Sequence, residues 1–202
     1  MSSADIIIIG AGAAGLMAAA GAAETFAKNG TEGKVIVLEK MPRPGRKIMI
    51  TGKGRCNFTN VKPWNEFSSH IHPKPNFLKP SFYNLTSERM LDFLQEHGME
   101  AVVERGDRAF PASHLASDVV DALVRATEGA GAGVLCNKEV IGIAGQAGND
   151  GKGNNDGRAS DGERNFTIKC KDGSVYSCRK LIICTGGLSY PKTGSTGDGY
   201  GW

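Results

Sequence analysis

Asp5-Ile6-Ile7-Ile8-Ile9-Gly10-Ala11-Gly12-Ala13-Ala14-Gly15, near the start of the chain, is the stretch whose reading decides the fold. The isoleucine run has the β-branched character of a strand and leads straight into a G-x-G-x-x-G turn. An alanine-rich stretch to about Lys28 favours a helix, and Val35-Ile36-Val37-Leu38 forms a second apolar strand that ends on Glu39. The order is strand, glycine turn, helix, strand, acid, which is how a dinucleotide-binding βαβ unit is built. Gly10 permits the tight turn, Gly12 lets backbone amides approach a pyrophosphate, and Gly15 lets the helix pack close to the sheet. The helix N-terminus adds its partial positive charge. Glu39 lies somewhat beyond the usual spacing of roughly 20 residues, and the turn Gly30 to Gly33 absorbs the excess. Its carboxylate suits ribose hydroxyls and repels a 2′-phosphate.

With 202 residues the chain has room for one good core, or for a domain and an appendage. Its 28 glycines concentrate in the first turn, near residue 150 and at the C-terminus. A net charge of +3 does not indicate a nucleic-acid or membrane partner, and none is expected. No basic leader with a cleavage site precedes the first strand, and no run approaches the roughly 18 apolar residues of a membrane span. A soluble, cytoplasmic protein is expected. Cys56, Cys136, Cys170, Cys178 and Cys184 show no C-x-x-C spacing, so reduced thiols are the default. His70 and His72 stand two apart with no matching ligands nearby, which favours a loop over a metal site.

After Glu39, residues Met41 to Asn57 read as a long ordered loop. From Arg43 to Arg55 it holds Arg43, Arg46, Lys47, Lys53 and Arg55 and no acid. Beside the glycine turn these cations would meet a pyrophosphate or an anionic ring, each charge-assisted hydrogen bond contributing about 1.5–3 kcal/mol. A solvated basic surface and an RNA contact are the other readings of this loop. Helical spacing runs through Ser87 to His97, with Thr86 or Ser87 as cap, and again from about Ser113 to Glu128. Strands follow at Val134 to Cys136 and Glu139 to Ile143. Residues 145–164 are nearly devoid of apolar side chains and are expected to be a disordered hairpin loop. Strands resume at Asn165 to Cys170 and Val175 to Cys178, which makes Glu139 to Cys178 a three-stranded antiparallel meander. Lys180 to Gly187 reads as a buried strand, ending at glycines, in the centre of a parallel sheet.

This arrangement resembles the glutathione-reductase-like superfamily of flavoproteins. Gly45-Arg46-Lys47, the string Thr51 to Asn60 with Arg55-Cys56-Asn57 at its centre, Phe110-Pro111 and the string Thr185 to Tyr200 are similar to the motifs of one bacterial family. It is the NAD(P)/FAD-dependent oxidoreductase family often labelled aminoacetone-oxidase-like, whose relatives include bile-acid dehydro-reductases. The resemblance covers nearly the whole chain outside residues 145–164. It implies an α/β, Rossmann-like FAD-binding domain with a central parallel sheet, crossover helices and a three-stranded antiparallel meander. One departure is Lys53, where such proteins usually carry glycine. The other is length: the relatives are roughly twice as long, so residues 1–202 correspond to the N-terminal part of the FAD-binding domain, without the inserted substrate domain and the C-terminal return segment.

The resemblance further implies that Ala14, Glu39, Arg46, Lys47, Gly52 and Val140 line FAD, Val140 through its backbone at the adenine. Thr185 and Gly186 would close the site, and Lys47 or Arg55 would place a cation near the flavin ring. With a single G-x-G-x-x-G, any NAD(P)H would dock only transiently as electron donor. No residue stands out as the acid–base catalyst; Cys56 and Tyr190 are read as packing residues. A small-molecule substrate is expected, with hydride passing between it, or NAD(P)H, and FAD. The alternatives are an NAD-binding Rossmann dehydrogenase and a non-catalytic nucleotide- or RNA-binding fragment. Weak flavin retention and self-association through exposed apolar surface are also expected.

Overall fold

The computed structural model describes residues 1–146 and 165–202. In chain order its elements are β1 (Ser2–Ile9), α1 (Ala13–Lys28), β2 (Val35–Leu38), α2 (Arg46–Ile50), β3 (Thr59–Asn60), α3 (Trp64–Phe67), α4 (Lys79–Asn84), α5 (Ser87–Glu96), β4 (Ala101–Glu104), β5 (Arg108–Pro111), α6 (Ala116–Gly129), β6 (Gly133–Leu135), β7 (Val140–Gln146), β8 (Asn165–Cys170) and β9 (Val175–Ile183). They fall into two units, Met1–Lys47 with Val124–Trp202, and Ile48–Leu123.

The first unit is built on a six-stranded sheet of order β6-β2-β1-β9-β8-β7. β1 runs parallel to β2 and β9, and β2 parallel to β6; β7, β8 and the start of β9 are antiparallel. Alternation along β1 explains both faces of the sheet. Ile7 and Ile9 join Ile36, Leu38, Val140 and Ile168 in one cluster. Ile8, between them, is equally buried, as are Leu16, Ala19, Ala20 and Ala23 of α1. Thr127 Oγ1 donates to the Leu16 carbonyl at 3.1 Å, so the buried hydroxyl at the end of α6 is satisfied.

The α/β class, the mainly parallel sheet and the meander agree with the sequence reading, with three differences. First, the third meander strand and the strand expected from Lys180 are one element, β9, whose first half pairs with both β8 and β1. Its second half has β1 as its sheet neighbour, and Ile183 is 49% exposed where burial was expected. Second, the Met41–Asn57 segment is not a plain loop, since it contains α2 and a 3₁₀ turn at Thr51–Gly54. Third, Gly145 and Gln146 belong to β7, and the remainder of the stretch expected to be disordered lies outside the described residues.

The second unit holds a three-stranded antiparallel sheet of order β3-β5-β4, which the sequence reading did not anticipate. Cys56, Leu94, Met99, Ala109 and Phe110 are buried in this unit. α5 begins as expected, with the Thr86 hydroxyl accepting from Arg89 N at 3.2 Å.

Two glycines in α1 test the packing. A Cβ on Gly15 would lie 1.8 Å from the Gly10 carbonyl oxygen, whereas one on Gly21 would meet nothing within 4 Å. Gly15→Ala is expected to cost about 3 kcal/mol or more. Gly21→Ala should stabilise by about 0.5–1 kcal/mol. Urea denaturation of both variants checks the contrast, and equal effects would contradict this packing.

Candidate functional site

The glycine turn is held from three sides. Gly10 N donates to the Leu38 carbonyl at 2.8 Å, and Cys184 N donates to the Ile9 carbonyl at 2.8 Å, so both neighbouring strands end at the turn. Gly10 has φ +100°, and a Cβ there would lie 2.5 Å from the Cys184 carbonyl oxygen. Only glycine fits. Gly45 N donates to the Ala11 carbonyl at 2.8 Å, which brings the start of α2 beside the turn.

Gly12 behaves differently. It is the N-cap of α1, with no side-chain cap and no acid in the first turn. A Cβ on it would meet nothing within 4 Å, so packing within the chain does not require glycine. Ala13 and Ala14 are exposed. Uncapped N–H groups at the positive end of a helix, with free space above them, form a seat for an anion that must come close to the backbone. Gly10, Gly12, Ala14 and Gly15 thus lie together in the turn and the first residues of α1.

Glu39 closes the turn. Ala11 N donates to its Oε2 at 2.7 Å and Met41 N to its Oε1 at 2.8 Å. Its backbone is equally tied, N to the Leu135 carbonyl at 2.9 Å and O from Lys138 N at 2.8 Å. Each carboxylate oxygen has a second acceptor site, so Glu39 can still take hydroxyl donors. It lines a cavity of about 40 Å³ together with Gly10, Lys40, Lys138, Val140 and Thr185; Gly194, Asp198 and Trp202 form its far wall.

Lys40 Nζ ties the far wall down, donating to Asp198 Oδ2 at 2.6 Å and to Thr196 Oγ1 at 2.5 Å. Burial alone would raise the Asp198 pKa, but the Lys40 and Thr196 hydrogen bonds and the Lys40 charge outweigh it and lower it. Lys138 is held by Asp172 at 2.6 Å, and that hydrogen bond, with those from Ser174, keeps Asp172 well below the usual carboxylate range.

The expected residues are thus partly brought together. Gly10, Glu39, Val140 and Thr185 share one cavity, with Gly186 next in the chain at φ +71°. Arg46 is exposed at the first position of α2. Lys47 Nζ donates to Ser189 Oγ at 2.7 Å and lies 5.7 Å from the Tyr190 ring centroid. Gly52 and Arg55 belong to the second unit. There the Arg55 guanidinium pairs with Glu104, lies 4.5 Å from the Phe110 ring centroid and is 2.8 Å from His114 Nδ1. Its charge is met inside that unit. Cys56 is buried, and burial pushes its thiol up despite a Thr51 hydrogen bond, so a packing role fits it. Lys40, Lys138, Asp198 and Trp202 escaped the sequence reading as site residues. Adjacency to Glu39 was the available signal for Lys40, and nothing local marked the others.

The profile of the HI0933-like protein Rossmann domain matches residues 4–202. The chain belongs to this family. It is 31% identical over 196 residues to the ribosomal RNA dihydrouridine synthase of Escherichia coli K12, covering 97% of this chain and 42% of that protein. It is 26% identical over 193 residues to the 3-dehydro-bile acid delta(4,6)-reductase of Clostridium scindens, covering 96% of this chain and 41% of the relative. The chain thus spans less than half the length of these curated relatives. Among solved structures, the 3-ketosteroid-delta4-(5alpha)-dehydrogenase of Rhodococcus jostii RHA1 aligns with a TM-score of 0.59 at 15% identity, over 93% of this chain and 46% of that one. At that identity the likeness concerns the fold. No helix among the described residues is long and apolar enough to cross a membrane.

Because the folded pKa of Asp198 is below its unfolded value, its contribution is full above the unfolded value, near 3.8, and is lost as pH falls through the folded one. In a Trp64→Phe background, Trp202 emission should hold steady from neutral pH down to that value and shift below it. Asp198→Asn should show the shifted emission already at neutral pH. A transition well above the usual aspartate range would contradict the Lys40–Asp198 link.

Proposed function

We propose that this chain is the ADP-binding part of an FAD-dependent oxidoreductase. The observation that carries the reading is the pairing of two features: an uncapped α1 N-terminus with open space over Gly12, and a Glu39 carboxylate that Ala11 N and Met41 N hold at the cavity rim. The first fits a pyrophosphate and the second ribose hydroxyls. Val140, buried at the start of β7, supplies backbone and apolar surface beside Glu39 for the adenine. When bound, the isoalloxazine ring supplies hydride transfer. The chain's own residues bind and orient: Gly12 to Gly15 hold the phosphates, Glu39 the ribose, and Arg46 offers a cation beside the turn.

The names of the curated relatives support a narrower chemistry. A delta(4,6)-reductase and a dihydrouridine synthase both saturate a ring carbon–carbon double bond. Hydride adds to one carbon and a proton to the other. The two names differ in what carries the ring, a bile acid in one and ribosomal RNA in the other. NAD(P)H, docking transiently, would be the electron donor. The competing reading, an NAD dehydrogenase, puts a different occupant on the same turn, so a direct comparison of ligands decides between them.

The test is an absorption spectrum of the purified chain, followed by separate titrations with FAD and NAD. The expected result is a flavin spectrum, weakly retained and restored by added FAD, with no uptake of NAD. Gly12→Ala should keep stability within about 0.5 kcal/mol. The same variant should weaken FAD binding at least about tenfold, since its methyl group takes the space a pyrophosphate needs. Colourless protein that ignores FAD, or a variant that binds FAD like the wild type, would overturn the reading.

A further inference from the structure

From Asn57 to Phe93 no residue is buried, although the stretch is rich in aromatic side chains. Four of them meet at the surface of the second unit. The ring centroids of Trp64 and Phe82 are 5.1 Å apart, those of Phe67 and Phe82 5.4 Å, and those of Phe82 and Tyr83 5.5 Å in an edge-on arrangement. Tyr83 is nevertheless 55% exposed, and nearby in sequence Phe77 is 82% exposed. Exposed apolar surface of this kind is unfavourable in water and marks an interaction face.

Charge narrows the partner. The acid on this stretch, Glu66, is paired with Lys62 at 2.8 Å, and between Glu66 and Glu88 the chain has no other acid. Lys74 and Lys79 are exposed in this interval, and neither carries an ion pair among the described residues. Cations and rings therefore alternate along the chain as Lys74, Phe77, Lys79 and Tyr83. The core of a protein–protein interface is depleted in lysine, and a bile-acid-sized ligand is held in an apolar cavity, where unpaired lysines have no role. Single-stranded RNA needs both components, flat rings for unpaired bases and cations for phosphates. Pro73, Pro75 and Pro80 fix φ around these side chains, which lowers the entropy lost when a strand is bound. The overall charge of +3, from which no nucleic-acid partner was expected, averages over this face.

We propose that the face from Trp64 to Leu85 docks single-stranded RNA, with unpaired bases stacked on Phe77 and Tyr83 and phosphates on Lys74 and Lys79. The proposal rests on the ribosomal RNA form of the function proposed above and assigns the surface that would recognise such a substrate.

The experiment is fluorescence anisotropy of the chain with a labelled single-stranded oligouridine, at several KCl concentrations. The wild type should bind, more weakly as salt rises. The double variant Phe77→Ala with Tyr83→Ala should bind at least about tenfold more weakly, since stacking is lost at two bases. Lys74→Gln with Lys79→Gln should reduce the slope of log affinity against log salt by about 1.4. The lysine variant removes two exposed side chains and should melt like the wild type; Tyr83 also packs edge-on against Phe82, so the aromatic variant should melt somewhat lower while remaining folded at the temperature of the binding assay. Gly12→Ala should bind oligouridine normally.

Absence of binding by the wild type would overturn the proposal, and so would affinity that neither double variant changes. Capture of phosphatidylserine vesicles in place of oligouridine, abolished by the same substitutions, would make this a membrane face and also overturn it. FAD titrated into the same samples keeps the two readings apart. Flavin uptake without RNA binding removes the docking face alone, and patch-dependent RNA binding without flavin uptake removes the flavoprotein reading alone.

Discussion

The Glu39 carboxylate is the constraint on which the candidate site depends. It stands where β2 ends, and it accepts from the backbone of the glycine turn with one oxygen and from Met41 with the other. Charge-assisted hydrogen bonds of this sort contribute about 1.5–3 kcal/mol each. They join the turn after β1 to the end of β2, and the Glu39 backbone ties in a third segment, the link from β6 to β7. The group proposed to select the ribose thus also shapes the turn proposed to receive the phosphates. Glu39→Gln would remove an acceptor from one of these N–H groups as well as the charge, which makes Gly12 the cleaner probe of ligand binding.

The opposite side of the turn is set by close approach. β9 reaches the turn beside β1, and the carbonyl of Cys184, just after it, comes so near Gly10 that a single methyl group would collide. Thr185 is delivered to the cavity rim by this strand, which begins in the meander and ends in the parallel part of the sheet. One continuous strand thus replaces a hinge between the two. Its register on β1 is enforced over almost its full length, so the position of Thr185 is coupled to the packing of Ile7 and Ile9.

Much of this was legible in local sequence. β1, α1 and β2 show period and turn chemistry within forty residues, and α5 and α6 show apolar spacing with recognisable ends. The second sheet was not legible, because β3 has two residues and β4 and β5 four each, too short for a periodic signal to rise above chance. The turn Arg105-Gly106-Asp107 between Val103 and Ala109 was the one hint of that hairpin. The continuity of β9 was hidden for another reason: Arg179 and Lys180 interrupt the apolar pattern, and both are exposed.

The sequence by itself determined the βαβ unit, the glycine turn and the acid that closes it, because each depends on residues close together and on steric rules that act locally. Which cations meet which partners was decided only by tertiary structure. Five positive charges between Arg43 and Arg55 read alike on paper, yet Lys47 turns to Ser189 and Arg55 to Glu104, while Lys40, just outside that run, ties Asp198 across the cavity. Long, flexible cationic side chains carry no directional preference in their sequence. Their partners are chosen by whichever acceptors the folded backbone brings within reach.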